Sequence, residues 1–321
     1  MPRDLTYKTL EDITNSFSED CKIGSGGYGQ VYKGKLDNGA EIAIKKLHQM
    51  VGLDDEQFKK EFNNLMKVQH KNIVKLVGYC YEIQHKHIKV DKDYVFARME
   101  QRALCFEYLR NGSLDKHLSD ESRALDWHTR FNIIKGICEG LDYLHNGTAD
   151  HIYHLDLKPA NILLDENSMP KIADFGLSKL FGTTQTHTTK KFIGTPGYMP
   201  PEYIEKRQVS KKFDVFSLGV VIIEIMAGSS GRSKSAEMSP QKFIEHVQEQ
   251  WKKTLQATSR DTALLEANSR EVKTCIEIAL RCVEAERVNR PTIREIVGKL
   301  NEIETVRKSI MGQVLSVLQS L

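Results

Sequence analysis

Apolar and polar positions change period several times along this 321-residue chain, and those changes mark its elements. Residues 1–20 are polar with spaced apolar positions at Leu5, Tyr7, Leu10, Ile13 and Phe17. This predicts a short helical lead-in broken by Thr14-Asn15-Ser16-Phe17-Ser18. A strand pattern follows a glycine-rich run at Val31-Tyr32-Lys33, and Asp37-Asn38-Gly39 signals a tight turn before a second strand over 41–46. Across 54–69, Phe58, Phe62, Leu65, Met66 and Gln69 recur near every 3.6 residues. Asp54, Asp55 and Glu56 fall in the first turn, where acidic groups favour a helix. Residues 82–101 carry Glu82, His85, Lys86, His87, Lys89, Asp91, Lys92 and Asp93, and read as an extended polar connection between two strands, a candidate partner-contact loop. A buried strand is expected over 104–109, running out into a linker, and Asn111-Gly112-Ser113-Leu114 opens a helix. Asp126 is placed to cap a helix whose apolar face is Trp127, Phe131, Ile134, Cys138, Leu141 and Leu144, ending near Asn146-Gly147. Short apolar runs at 162–164 and 171–173 have strand length, 215–226 is an apolar helix, and 240–300 has ordinary helical periodicity. The tail repeats apolar positions at Ile303, Val306, Ile310, Val314, Val317 and Leu321; packing back onto the body is favoured over pairing with another chain.

Composition narrows the class. The length suits two lobes, and 40% apolar with 28% charged residues is ordinary for a soluble globular protein. A net charge of +3 is too small to argue for nucleic acid or an acidic membrane surface. Six scattered cysteines without a Cys-x-x-Cys pair fit reduced cytosolic thiols better than a disulfide framework or a zinc site. The longest apolar run, 218–223, is far short of the roughly 20 residues that span a bilayer. Residues 1–20 lack the apolar core of a signal peptide, so the expectation is a soluble intracellular piece.

The densest chemistry lies in His154-Leu155-Asp156-Leu157-Lys158-Pro159-Ala160-Asn161, followed by Asp174-Phe175-Gly176. Phosphoryl transfer needs a carboxylate to accept a hydroxyl proton, a second to hold a divalent metal, and a group to share that metal. Taken singly, each such residue is more often solvated surface; the ordered set points to chemistry. The second candidate is Ile23-Gly24-Ser25-Gly26-Gly27-Tyr28-Gly29-Gln30-Val31. A lone Gly-x-Gly-x-x-Gly is weak, since dinucleotide-binding folds share it. Here a strand follows where those folds have a helix, and the Gly-Lys-Ser/Thr of a P-loop is missing. Two strands joined by a glycine hairpin let backbone N–H groups approach phosphates. In Ala43-Ile44-Lys45-Lys46, alternation puts Ala43 and Lys45 on one face, which favours Lys45 over Lys46 as the cleft-facing lysine. His85 and His87, without further ligands, read as solvated surface rather than a metal site.

His-x-Asp-x-Lys-x-x-Asn followed by Asp-Phe-Gly resembles the catalytic loop and metal-binding motif of eukaryotic protein kinases, and Lys158 is similar to the serine/threonine class. The Leu-Thr-Tyr and Thr-Asn-Ser-Phe pattern near the start resembles the segment ahead of the kinase domain in plant receptor-like kinases, relatives of the Pelle kinases. The resemblance implies an α+β, bilobal protein kinase fold. A juxtamembrane-like lead-in would cover 1–20, a small β-rich lobe with one major helix 21–109, a larger mainly helical lobe 110–300, and a helical tail 301–321. It implies ATP and Mg²⁺ as cofactors and Ser/Thr hydroxyls of proteins as acceptors, its own activation segment and lead-in among them. No nucleic acid and no membrane contact by this segment are expected, and the location would be cytoplasmic, as on the cytosolic side of a membrane receptor.

By the same resemblance Asp156 orients and deprotonates the acceptor hydroxyl, Lys158 lies beside the transferring phosphoryl, and Asn161 and Asp174 hold Mg²⁺. Ile23, Gly24, Gly26, Gly29, Val31, Ala43 and Leu163 would frame the nucleotide, with Val31 over the adenine. Phe106 would be the gatekeeper, while Glu107 and Leu109 offer backbone groups to the adenine edge. Lys45, paired with Glu61, would meet the α- and β-phosphates. The activation segment, from Asp174 to Pro200-Pro201-Glu202, carries Thr183, Thr184, Thr186, Thr188, Thr189 and Thr195 as candidate phosphosites. Thr195 would contact the catalytic loop, Glu202 would pair with Arg290, Asp214 would brace the loop backbone, and His154 would be a packed core histidine.

Two positions depart from the family pattern. Leu155 stands where most kinases have Arg, which makes the chain the non-RD type. A phosphate facing Leu gains no charge-assisted hydrogen bond, so activation-loop phosphorylation is expected to be a weaker switch. In the plant receptor-like group that feature points toward pathogen-sensing receptors. Pro200 replaces the Ala of Ala-Pro-Glu and stiffens the segment end. The leading function is therefore a serine/threonine kinase; the alternative is a catalytically weak nucleotide-binding scaffold.

Overall fold

The computed structural model describes all residues except 27–28, 49–53, 91–92, 121–124, 176–178, 182–186, 190–191, 259–260 and 320–321. For 54–57, 60, 86–90, 93–98, 179–181, 187, 258 and 313–319 it describes the backbone alone. The chain divides into two compact units, Met1–His70 with Val74–Arg110, and Lys71–Ile73 with Asn111–Leu321.

The first unit is built on a six-stranded sheet. Its elements are β1 (Arg3–Asp4), α1 (Tyr7–Ile13), β2 (Lys22–Gly26), β3 (Gly29–Lys35), β4 (Glu41–Leu47), α2 (Asp54–Met66), β5 (Leu76–Val90) and β6 (Asp93–Glu107). The strand order is β1-β5-β6-β4-β3-β2, antiparallel except where β1 runs parallel to β5. The 1–20 stretch belongs to this unit. Tyr7 and Leu10 of α1 are buried in one cluster with Ile42, Ile44, Cys80, Ala103 and Cys105, and Leu5, Ile13 and Phe17 close its margin. The expected break after α1 is a run of left-handed residues, Asn15 (φ 50°), Ser16 (φ 56°) and Phe17 (φ 56°). Buried Thr14 holds it: its hydroxyl donates to the Leu10 carbonyl at 2.6 Å and accepts from the Phe17 N–H at 3.1 Å. On α2, Phe58 and Leu65 are buried as the periodicity predicts, whereas Met66 is exposed at the helix end.

Residues 82–101, expected as a loop, are strand. β5 and β6 are 15 residues each and stay in antiparallel register from Tyr79↔Leu104 out to Val90↔Asp93. β4 pairs with β6 only as far as Lys46↔Ala103, so the outer part is a two-stranded ribbon. A ribbon outside the body of a sheet need not bury a face, so its polar residues carry no apolar alternation to read. The strand preference instead resides in Ile83, Ile88, Val90, Tyr94, Val95 and Phe96.

The second unit is mainly helical. It contains α3 (Leu114–Ser119), α4 (Trp127–Asp142), β7 (His151–Tyr153), β8 (Ile162–Leu164), β9 (Pro170–Ile172), β10 (Lys179–Phe181), β11 (His187–Thr188), α5 (Pro201–Lys206), β12 (Gln208–Val209), α6 (Lys211–Ala227), α7 (Gly231–Glu237), α8 (Pro240–Thr258), α9 (Thr262–Cys282) and α10 (Ile293–Gln319). Asp126 caps α4 as expected, accepting from the Thr129 N–H at 2.7 Å, and Trp127, Phe131, Ile134, Cys138 and Leu141 are buried. The first part of the tail packs back: buried Arg307 of α10 lies 3.1 Å from Glu271 of α9 and over the ring of Phe131. Glu271 in turn accepts from the Trp127 indole at 2.8 Å. Val314 and Val317 have undescribed side chains, and Leu321 lies outside the described residues. Among the described residues no single helix is long and apolar enough to cross a membrane; the apolar α6 is the buried core of this unit.

Because Leu10 is fully buried against the sheet, Leu10→Ala should destabilise the protein by about 2–5 kcal/mol. Lys8→Ala, on the exposed side of the same helix, should leave the midpoint nearly unchanged. Urea denaturation of the two variants beside the parent checks both.

Candidate active site

In the first unit the glycine hairpin and the lysine strand are fixed by register. Gly24 pairs with Val31 and Gly26 with Gly29, and a register shift between Lys22 and Gly24 leaves Ile23 unpaired and exposed. Gly27 and Tyr28 lie outside the described residues. Gly29 is needed for close approach of two backbones: a Cβ there would stand 2.3 Å from the Lys46 carbonyl oxygen. The rows Val31↔Lys45↔Leu104 and Lys33↔Ala43↔Phe106 put Val31, Ala43, Lys45 and Phe106 on one face of the sheet. Lys45 donates to Glu61 of α2 at 2.9 Å, and both side chains are nearly buried. Lys46 points the other way, its ammonium 4.1 Å from the Phe17 ring centroid and 5.5 Å from that of Tyr7. The Glu107 N–H donates to the Lys75 carbonyl at 3.1 Å and its carboxylate accepts from the Lys75 N–H at 2.9 Å, while Leu109 is buried at the strand's exit. His48, absent from the sequence expectations, reaches the Gly26 carbonyl with Nε2 at 3.3 Å; one histidine past a strand end gives no signal of such a reach.

In the second unit the Asp156 carboxylate is surrounded by donors. The Thr195 hydroxyl donates to Oδ1 at 2.6 Å, Lys158 lies 3.0 Å from Oδ2, and Asn161 donates to Oδ2 at 3.1 Å and to the Asp156 carbonyl at 2.8 Å. Lys158 also donates to the Thr195 hydroxyl at 2.8 Å, closing a ring of three side chains. With its amide nitrogen committed to two acceptors, Asn161 presents its oxygen elsewhere, as a metal ligand must. Asp174 holds a left-handed backbone (φ 66°). Strain of this kind persists only where the surroundings enforce it. Leu163 lies on β8, bridged to Ser113, and is half-buried; Gly176 lies outside the described residues. Asp174 and Asn161 carry oxygen donors of the kind Mg²⁺ takes, since that ion binds through one or two protein oxygens and completes its shell with water and phosphate.

The loop carrying Asp156 hangs from Asp214. This fully buried carboxylate accepts from the His154 N–H at 2.9 Å and the Leu155 N–H at 2.8 Å. His145 adds a third bond, Nε2 to Oδ2 at 2.7 Å. His145 was not expected: it sits in a π turn, Tyr143–Gly147, that extends α4, and the wider turn shifts the residues off the 3.6 period that reads the helix. His154 is a packed histidine, donating from Nε2 to the Ala173 carbonyl at 3.0 Å and standing edge-on to Phe175. Leu155 has φ 65° and is fully buried with Tyr153, Ile193, Met199, Tyr203, Val209 and Phe213. Gly194 (φ 99°) fits beside it, where a Cβ would come within 2.9 Å of the Leu155 carbonyl. Arg290 grips Glu202 with two parallel bonds of 2.8 Å. Of the threonines between Asp174 and Glu202, Thr183, Thr184 and Thr186 lie outside the described residues, Thr188 is exposed and Thr189 is buried.

The chain matches the protein kinase domain model over residues 17–300, and it belongs to that family. It is 40% identical over 304 residues to cysteine-rich receptor-like protein kinase 41 of Arabidopsis thaliana, covering 92% of this chain and 43% of that protein. The same identity and length link it to cysteine-rich receptor-like protein kinase 44 of that plant, with coverage of 92% and 76%. A G-type lectin S-receptor-like serine/threonine-protein kinase, also from Arabidopsis thaliana, is 39% identical over 298 residues, 92% of this chain and 34% of its own. The chain thus spans less than half of two of these three relatives.

Behind the Thr195 loop, the Tyr198 hydroxyl donates to Glu224 at 2.9 Å, and burial lifts the Glu224 carboxyl above its ordinary range despite that bond. A carboxyl raised in the folded state stabilises the fold below its unfolded value, and that contribution is lost as pH rises through the folded value. Glu224→Gln, neutral throughout, should therefore gain stability relative to the parent as pH rises from 4 to 7.5. Parallel urea titrations at the two pH values read the difference.

Proposed function

We propose that the chain is the kinase part of a receptor-like serine/threonine protein kinase, moving the γ-phosphoryl of ATP to protein hydroxyls on the cytosolic side of a membrane. The observation that carries this reading is the ring of donors around Asp156, set on a loop whose backbone Asp214 fixes. Asp156 accepts the hydrogen of the incoming hydroxyl and aims its oxygen along the line of attack. Lys158 sets its positive charge beside the phosphoryl oxygens as charge builds on them. Lys45, held by Glu61, meets the α- and β-phosphates, and the backbone of Gly24, Gly26 and Gly29 covers them. Ile23, Val31, Ala43, Phe106 and Leu163 enclose the adenine, and Glu107 and Leu109 offer backbone groups to its edge. Asp174 and the Asn161 oxygen would hold Mg²⁺, which when bound would neutralise phosphate charge. Acceptors include Ser/Thr of other proteins and the chain's own activation segment and lead-in.

Leu155 supports a further part of the reading: the end of the activation segment is fastened by packing, so a phosphate there is not required to order it. Asp156→Asn should leave Mg·ATP binding, read as a nucleotide-induced rise in melting temperature, nearly unchanged while lowering autophosphorylation by on the order of 10² or more. Equal radiolabelled phosphate incorporation by mutant and parent would overturn the role of Asp156. A melting shift without turnover in the parent would select the nucleotide-binding scaffold.

A further inference from the structure

Glu61 shares its helix with two aromatic residues. Phe58 and Phe62 of α2 stack on one another with ring centroids 6.0 Å apart. Each also meets a tyrosine of β5: Phe62 is edge-on to Tyr79 at 4.7 Å, and Phe58 lies on Tyr81 at 5.6 Å. Register gives these rings their significance. Tyr79 stands opposite Leu104, which stands opposite Lys45, so Tyr79 lies in the same cross-strand row as the lysine. Adjacent residues of α2, Glu61 and Phe62, thus each touch a member of that row. Tyr81 is two rows farther out on the same face, opposite Arg102, at the first pair of the ribbon beyond β4. The Arg102 guanidinium lies 5.9 Å from the Tyr81 ring centroid and forms an ion pair with Glu100.

We propose that Tyr79 and Tyr81 are positioning residues for phosphoryl transfer, holding Glu61 against Lys45 through their ring contacts with Phe62 and Phe58. The role in transfer rests on the assignment of Lys45 to the phosphates. A single Lys–Glu hydrogen bond fixes one point of α2 and leaves the helix able to pivot about that point. Two ring contacts one helical turn apart, to β5 residues two rows apart on one face, remove that freedom. Without the extension of β5 and β6, Tyr81 would have no paired backbone to stand on. The ribbon therefore contributes to the lysine pair without approaching it.

The test uses the full chain with Tyr79→Leu plus Tyr81→Leu, Tyr81→Leu alone should the pair fail to fold, and Tyr79→Phe plus Tyr81→Phe as the conservative counterpart. Acetylation of Lys45 by a small amine-reactive ester, followed by mass spectrometry, should speed up several-fold in the Leu variants, with Lys46 as the internal reference. The Phe variant should match the parent. In autophosphorylation, kcat should fall by about 10- to 100-fold in the Leu variants with a smaller change in KM for Mg·ATP. That loss should vanish when Glu61→Gln is already present. Unchanged Lys45 labelling in a folded Leu variant, or equal losses with and without Glu61→Gln, would overturn the proposal. If the parent transfers no phosphate while the labelling still responds, the kinase reading fails and the positioning of Glu61 stands.

Discussion

The Asp214 carboxylate is the constraint on which the second unit's chemistry depends. The backbone at Leu155 is left-handed, a conformation that costs a leucine roughly 1–3 kcal/mol. Two buried N–H bonds to one carboxylate, with His145 bonded to the same Oδ2 that the His154 N–H meets, offset that cost, because leaving either N–H unpaired would forfeit about 1–3 kcal/mol. The consequence is directional. With residues 154 and 155 pinned, Asp156 emerges at a set angle toward Lys158, Asn161 and Thr195. A loop free to relax would lose that aim before it lost its fold.

Leucine at 155 changes what surrounds this constraint. Its side chain enters an apolar cluster that includes Ile193 and Met199 from the activation segment and Tyr203 from the helix after it. The Tyr203 hydroxyl accepts from the Ile193 N–H at 2.7 Å, and Arg290 clamps Glu202 one residue away. The segment's end is therefore tied down by burial and by an ion pair from Arg290, in the connection between α9 and α10, neither of which depends on a phosphate. An arginine at the same place would carry its charge into this apolar cluster.

Much of the architecture could be read from the chain because its signals were local. The cap at Asp126, the period of α4 and the alternation that separates Lys45 from Lys46 each depend on a few neighbouring residues. The Glu202–Arg290 and Asp214 contacts became legible only through the family's motifs, since the partners are 88 and 59 residues apart. Residues 82–101 are strand rather than the loop their polarity predicts, because polarity stands for a loop only where strands must bury a face, and a two-stranded ribbon need not. His145 and His48 gave no signal: one depends on a π turn, the other on a reach from beyond a strand end.

The two adjacent lysines of β4 tie the chain's first residues to its chemistry. A one-residue slip of β4 would turn Lys46 toward Glu61 and Lys45 toward α1, so the register has to be specified on both faces. On the α2 face, Glu61 specifies it with a buried ion pair. On the other, Lys46 lies against Phe17 and Tyr7, while Ile42 and Ile44 fill the cluster that Leu10 completes. Tyr7 and Leu10 precede residue 17, where the family match begins. The core that keeps the right lysine on the right face thus extends past the start of the matched domain into α1.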